Sequence, residues 1–305
     1  MITKTGSFTG NSTDNRTLSG VGFQPDLVII LGTDANVNAH FRTSAMGANE
    51  SISIRGDAPS VTDAIKTFTI DGFTLGISSV VNNTGTNYVY FAVKDNGAGD
   101  FKVGSYTGDG NDGKVITGVG FQPNYVLTKS SSAIVGASKY AGTTDSQMQF
   151  DGTDRIDLYA SLDADGFTVN NGSASAANLI NVSGVTHYYF AFKEVANFCK
   201  VFAYAGDSTD NRDITTPNFL PGLVLIKADT AVTPSLRLAS HSGDAAQPWD
   251  AVAGVNRIQS FLSNGFQLGT SVATNATGST YRVLVIKEGN SVSLINAGVT
   301  AWITA

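Results

Sequence analysis

The same phrases recur along this chain at a fixed interval. Gly22-Phe23-Gln24-Pro25 returns as Gly120-Phe121-Gln122-Pro123 and, loosened, as Asn218-Phe219-Leu220-Pro221, so that Phe23, Phe121 and Phe219 stand 98 residues apart. The same offset links Gly6-Ser7-Phe8-Thr9-Gly10 to Gly104-Ser105-Tyr106-Thr107-Gly108 and to Phe202-Ala203-Tyr204-Ala205-Gly206. Asp14-Asn15-Arg16 returns as Asp112-Gly113-Lys114 and as Asp210-Asn211-Arg212. Asp71-Gly72-Phe73 returns as Asp165-Gly166-Phe167 and Asn264-Gly265-Phe266, and each copy ends on an aromatic, apolar run closed by lysine: Tyr88 to Lys94, His187 to Lys193, Tyr281 to Lys287. Register kept over a whole unit means one domain copied twice. The copies run about 1–98, 99–196 and 197–290, and residues 291–305 form a tail that matches nothing earlier.

Within a copy the periodicity is that of strands. Phe73, Leu75 and Ile77 alternate with polar or small residues, as do Phe266 and Leu268, which puts one side of each strand in a core and the other toward solvent. Leu27 to Leu31, Val126-Leu127 and Leu223 to Ile226 lack a polar face and suit strands buried on both sides. Proline after Phe23, Phe121 and Phe219 fixes φ and cannot donate to a ladder, so it marks a strand entrance. The Asx-Gly pairs read as hairpin corners, where positive φ is tolerated. Two strand types imply two sheets per copy, and the fold class expected is all-β: three tandem antiparallel β-sandwich repeats, jelly-roll-like, as beads or as a closed group of three. Short helical turns are expected at Val61 to Phe68 and Trp249 to Leu262. Between the central strand and the Asx-Gly corner the copies diverge, at Asn36 to Lys66, Ala133 to Leu162 and Thr230 to Leu262.

Composition supports this and narrows function. Charged residues make up 14% and glycines number 33, a balance that favours turns and strands over charge-laced helices. The net charge of −6 comes from scattered acids without a basic cluster, which disfavours nucleic acid and anionic membranes as partners. No apolar run reaches the roughly 18 to 20 residues of a spanning helix, and nothing near Met1 resembles a secretory signal, so synthesis in a cytoplasm is expected. A single cysteine, Cys199, lies in the apolar run Phe198 to Tyr204 and reads as a buried, inert thiol.

Candidate chemistry is thin. His40, His187 and His241 occupy non-equivalent places, and His187 stands where the other copies have Tyr88 and Tyr281, so no nucleophile and base can be paired. Asn11 to Asn15, Asp109 to Gly113 and Asp207 to Asn211 offer oxygens at alternate positions in the style of a calcium loop, but the spacing and distal glutamate of an EF-hand are missing, and Asx turns explain the same letters. Asp57, Asp63, Asp151, Asp154 and Asp157 are acids of single divergent segments and read as solvated rather than as a glycosidase pair. No enzyme activity, metal or cofactor is expected. Trp249, Tyr140 and Tyr159, aromatics on divergent segments, are the candidate receptor or glycan contacts. Leu294, Ile295, Trp302 and Ile303 in the tail are the candidate assembly contacts.

Gly-Phe-Gln-Pro-Asp-Leu-Val at 22–28, the glycine-rich hairpin before it, the Asp-Gly-Phe strand and Tyr-Val-Tyr-Phe-Ala-Val-Lys at 88–94 together resemble a repeat found in virion proteins of tailed bacteriophages, over nearly the whole chain. The resemblance implies a structural module without catalytic residues: a tail fibre, tail-tip or head-decorating protein, located in the virion. Its partners would be other virion proteins and a host-surface glycan, and a homo-oligomer is compatible with it. Two departures stand out. The first repeat begins without a separate anchoring region, and neither coiled-coil heptads nor collagen-like triplets supply a trimeric shaft. A compact protein fixed to a tail or capsid surface fits both.

Overall fold

The computed structural model describes residues 1–34, 36–54, 60–132, 136–144, 146–148, 154–155, 157–171, 180–230, 232–249 and 251–290. The chain is all-β, with antiparallel strand ladders throughout the named sheets. Each repeat is a sandwich of one large and one three-stranded sheet. In the first repeat Ile2–Thr9 pairs with Asn87–Lys94, which pairs with Leu27–Gly32, then His40–Thr43 and Ile52–Ser53. The small sheet is Arg16–Ser19, Gly72–Leu75 and Ile65–Thr69. The second repeat builds the same ladder around Tyr125–Ser130 and the third around Leu223–Ala228, with matching small sheets.

The central strands explain why their sequences lack a polar face. Val28 and Ile30 point into the first repeat's own sandwich core with Phe73, Leu75 and Tyr88, while Leu27, Ile29 and Leu31 point the other way. That second face joins a single apolar core shared by all three repeats, where Leu27 and Phe91 meet Tyr125, Phe190 and Phe192 of the second copy and Leu223, Leu225 and Leu284 of the third. Large sheets from three copies thus close face inward around a common centre, and alternate side chains of one strand serve two cores. The void left at that centre is only about 10 Å3 and lined by apolar side chains, too little for a water without polar partners. The repeats form a closed group of three rather than beads.

Strand pairing closes the ring. Gly289–Asn290, at the end of the third repeat, adds to the edge of Ile2–Thr9, with Thr3 opposite Gly289 and Ile2 opposite Asn290. The Thr3 hydroxyl donates to Lys287 O at 2.7 Å, and Glu288 accepts from Lys4 at 2.8 Å and from Thr5 at 2.5 Å. With Lys4 and Glu288 side chains 42% and 31% exposed, that ion pair contributes at most about 1 kcal/mol, so the backbone ladder and the shared core hold the closure. Glu194, which follows Lys193 as Glu288 follows Lys287, makes the same kind of tie between the second and third repeats, accepting from Val201 N at 2.7 Å beside Lys200.

The divergent segments are interlocks. The third repeat's segment crosses onto the first: Trp249 O accepts from Ala39 N at 2.7 Å, Ala253 N donates to Thr33 O at 3.3 Å, and the Gln247 amide donates to Gly32 O. The first repeat's segment crosses onto the second: Ser60 N donates to Ser131 O at 3.0 Å, Glu50 accepts from the Tyr188 hydroxyl at 2.9 Å, and Phe41 meets Phe190 edge to face.

Two local expectations are corrected. The helical turns lie at Ser79–Asn82 and Val272–Asn275, whereas Ile65–Thr69 and Ile258–Leu262, which overlap the stretches read as helical, are edge strands of the small sheets. Pairing with Gly72–Leu75 and Gly265–Leu268 decides those residues, since a stretch with no sustained helical stripe has nothing to offset the lost ladder. The Asx-Gly corner also works differently from a primed turn. Neither Ile70 nor Asp71 takes positive φ. Glycine is required because a Cβ on Gly72, Gly166 or Gly265 would lie 2.0 Å from the carbonyl oxygen of Leu18, Ile116 or Ile214 on the neighbouring strand. The acid before the glycine binds the backbone of the phenylalanine-proline loop. Asp71 accepts from Gly20 N at 2.9 Å and Gly22 N at 2.6 Å, and Asp165 accepts from Gly118 N and Gly120 N at 3.1 and 2.7 Å. These bonds from backbone N–H groups lower both carboxyl pKa values and tie the two repeated motifs to each other.

Candidate functional site

The aromatic residues proposed as glycan contacts are core residues. Trp249 is 2% exposed, Tyr140 1% and Tyr159 2%. Trp249 and Tyr140 sit in the shared core, and Tyr159 sits in the second sandwich with its hydroxyl donating to Ala137 O at 3.0 Å. This corrects their assignment as recognition residues. The segments that carry them interlock or return to the sheets, and apolar rings on such segments are drawn into the only dry space nearby. Leu294, Ile295, Trp302 and Ile303 lie outside the described residues.

His187 does what tyrosine does in the sister copies. Its Nε2 accepts from Val182 N at 3.1 Å and its ring stacks on Tyr106 at 5.2 Å; the Tyr88 hydroxyl accepts from Asn83 N at 3.0 Å beneath Phe8, and the Tyr281 hydroxyl from Ala276 N at 2.7 Å beneath Tyr204. Burial lowers the pKa of His187, His40 and His241 to about 4 in each case, so all three are neutral at pH 7. They sit apart, on separate hydrogen bonds to Val182, Asn38 and Leu238. Burial pushes the Cys199 thiol well up, which suppresses the thiolate. Of the divergent-segment acids, Asp63 accepts from Asn49 at 3.0 Å and pairs with Lys66 at 3.4 Å, while Asp57 and Asp151 lie outside the described residues.

The loops read as calcium-like are organised by a residue that sequence inspection passed over. Asn82 is fully buried; its Oδ1 accepts from Asn11 N at 3.1 Å and Arg16 at 3.2 Å, and its Nδ2 donates to Thr13 O at 3.0 Å and Gly76 O at 2.8 Å. Asn275 repeats this with Asp207 N, Arg212, Thr209 O and Gly269 O, and Asn181 does so with Asp109 and Asn111. The loop's leading oxygen closes an Asx turn in every copy: Asn11 to Thr13 N at 3.0 Å, Asp109 to Asn111 N at 3.0 Å, Asp207 to Thr209 N at 2.9 Å. Each backbone bond is the first cause of the lowered pKa of Asp109 and Asp207. The recurrence of asparagine at 82, 181 and 275 was the available signal, weakened because its spacing drifts with the divergent segments. Among the described residues no three His, Cys, Asp or Glu side chains gather as around a metal ion.

A cleft of about 920 Å3 lies on the second repeat, between the Gly120 to Asn124 loop, the turn Tyr140 to Thr144 and the strand residues Ala160 to Leu162. Lys139 forms part of its wall and donates to Thr143 O at 3.1 Å and Thr144 O at 3.4 Å; Gln122 crosses its rim to Leu162 O at 2.7 Å. A second groove of about 530 Å3 runs between the first and third repeats beside Phe8, Asn87 and His241.

No curated protein matches the chain. Residues 2–101, a stretch that covers the first repeat and the opening residues of the second, match the family described as Domain of unknown function (DUF7483).

Proposed function

We propose that this chain is a non-enzymatic structural protein of a tailed-phage virion, exposed on the particle as a tail or head-surface part and built for assembly contacts with other virion proteins. The observation that supports the reading best is the closed ring. Three copies in one chain, laced from the last described strand back to the first and fused through one core, hold three similarly built sandwiches in fixed relation. Such an object suits a seat where particle components meet with threefold or sixfold symmetry, because each neighbour meets a sandwich of the same topology in a related position. The polar residues best placed for chemistry are spent on architecture: His187 on a strand-end turn, Asn82 and Asn275 on loop backbones, Asp71 and Asp165 on the glycine loop.

Mass spectrometry of washed, purified particles tests this directly. The chain should appear at a copy number that fits the particle's symmetry, and electron microscopy should place a ring of three sandwiches on its surface. Absence from the particles overturns the reading, and so does turnover of host polysaccharide by the purified chain.

A further inference from the structure

The three joints of the ring are built unequally. Between the second and third repeats the connector is pinned: Val195 pairs with Cys199, Phe198 lies in the shared core, Lys287 N donates to Phe198 O at 2.8 Å and Val201 N donates to Glu194 at 2.7 Å. Between the third and first repeats the corresponding pair is Gly289 with Thr3, and no connector runs across it, because these residues lie 286 apart in sequence. Between the first and second repeats the connector is covalent but loose. Residues 96–99 are exposed, and Gly97 and Gly99 take positive φ of 77° and 69°. Among the described residues, the hydrogen bonds of that stretch run to Asp95, to Met1 or within it, all on the first repeat's side. The first repeat is therefore bounded by one joint without a connector and one with a slack connector, whereas release of either other repeat unpicks the pinned one.

We propose that the seat formed by the second and third repeats is a docking surface for the first repeat of a second copy of this chain, so that two chains interlink by exchanging that repeat about the 96–99 connector. Exchange keeps the contacts of the seat: Trp249 with Ala39, Glu50 with Tyr188, and Asp100 with the Met1 ammonium re-form between copies. A released first repeat bares Leu27, Ile29 and Leu31, so it settles on a seat rather than staying free. Only the connector differs between the closed and interlinked forms. Their balance is then set by chain concentration against the effective concentration of the tethered repeat, on the order of 1 mM for a short flexible tether. Extended, residues 95–100 reach about 20 Å, which sets the two rings side by side. The inference goes beyond the virion reading and is measured on the purified chain alone.

Refolding the full chain from denaturant under reducing conditions, with the products sized by chromatography and light scattering, tests it. At about 1 mM roughly half of the chain should emerge as dimer, and at about 1 μM less than about 1%. A protease site inserted between Ala98 and Gly99 identifies the exchanged repeat. Cutting the isolated dimer there should release particles of monomer size, because after the exchange only the two connectors hold the rings together. A dimer made by exchange of the third repeat, or by surface contact, survives the cut. Deleting Gly97, Ala98 and Gly99 leaves three residues between Lys94 and Phe101, where the pinned connector has five between Lys193 and Cys199. That chain is too short to close on itself and should be dimeric even at about 1 μM. Monomer alone at the higher concentration, a dimer that survives the cut, or a folded monomeric deletion variant overturns the proposal. Should the deletion variant not fold, the cut dimer decides.

Discussion

Gly6 lies directly across the ladder from Tyr90, and a Cβ at Gly6 would sit 2.4 Å from that ring; Gly104 and Tyr189 repeat the relation, with a Cβ 2.4 Å from the hydroxyl oxygen. The third repeat inverts it: Phe202 stands at the glycine position and Val283 at the tyrosine position. One large side chain per pair fills the same space from either strand. Gly104→Phe should therefore cost about 1 to 3 kcal/mol through overpacking, and Tyr189→Val should cost about 2 to 4 kcal/mol through the cavity it leaves. The double variant should recover on the order of 1 to 3 kcal/mol of their sum. Denaturant unfolding of the four proteins gives the coupling, and strict additivity would break the argument.

Three neutral histidines make stability depend on pH in a defined window. Each has a folded pKa of about 4, below the ordinary 6.5, because burial disfavours the charged ring. Between those values the unfolded chain binds protons that the folded chain does not, so the stability is fully present above pH 6.5 and lost as pH falls toward 4. Each histidine contributes roughly 3 kcal/mol to the loss at most. His187→Tyr places at that position the residue found in both sister copies, and it should remove about a third of the decline. Unfolding midpoints at pH 7, 6, 5 and 4 for both proteins check this; parallel curves would contradict it.

Much of the architecture was legible in the chain, and particular residues show where legibility stopped. The run Leu27 to Leu31 announced burial on both faces, but the partners of its second face come from repeats one and two periods away, which no local pattern encodes. Register equivalence revealed His187 as a stand-in for tyrosine, because that comparison needs only the repeat. Trp249 misled for the opposite reason. Its segment diverges in sequence from those of the other copies and has no clear period, so nothing local separated a buried ring from an exposed one. Ile65–Thr69 misled by its brevity, being a strand chosen by its hairpin partner.

Trp249→Ala should act on the whole fold. The side chain lies in the shared core and its carbonyl holds Ala39 of the first repeat, so truncation should lower stability by about 3 to 5 kcal/mol. The loss should appear as an earlier single transition followed alike by tryptophan-independent probes such as far-ultraviolet dichroism and tyrosine absorbance. A variant that melts like the parent would return this residue to the surface.

A single repeat should not fold as a monomer. Cut out at 1–98, the first copy would keep its own sandwich core around Val28, Ile30, Phe73 and Tyr88 but expose Leu27, Ile29, Leu31, Phe41, Ile52, Phe91 and Val93 on one flat sheet face. Exposed apolar surface of that extent marks an association face, and the edge of Ile2–Thr9 would lose Gly289–Asn290 as well. Because the neighbours that cover this face are near copies of the same domain, the expected product is a homotrimer or a soluble aggregate rather than unfolded chain. Size-exclusion chromatography with light scattering distinguishes these from a monomer. A well-dispersed monomeric spectrum of the isolated repeat would show that the common core is dispensable, and the ring would then be a docking of three finished domains.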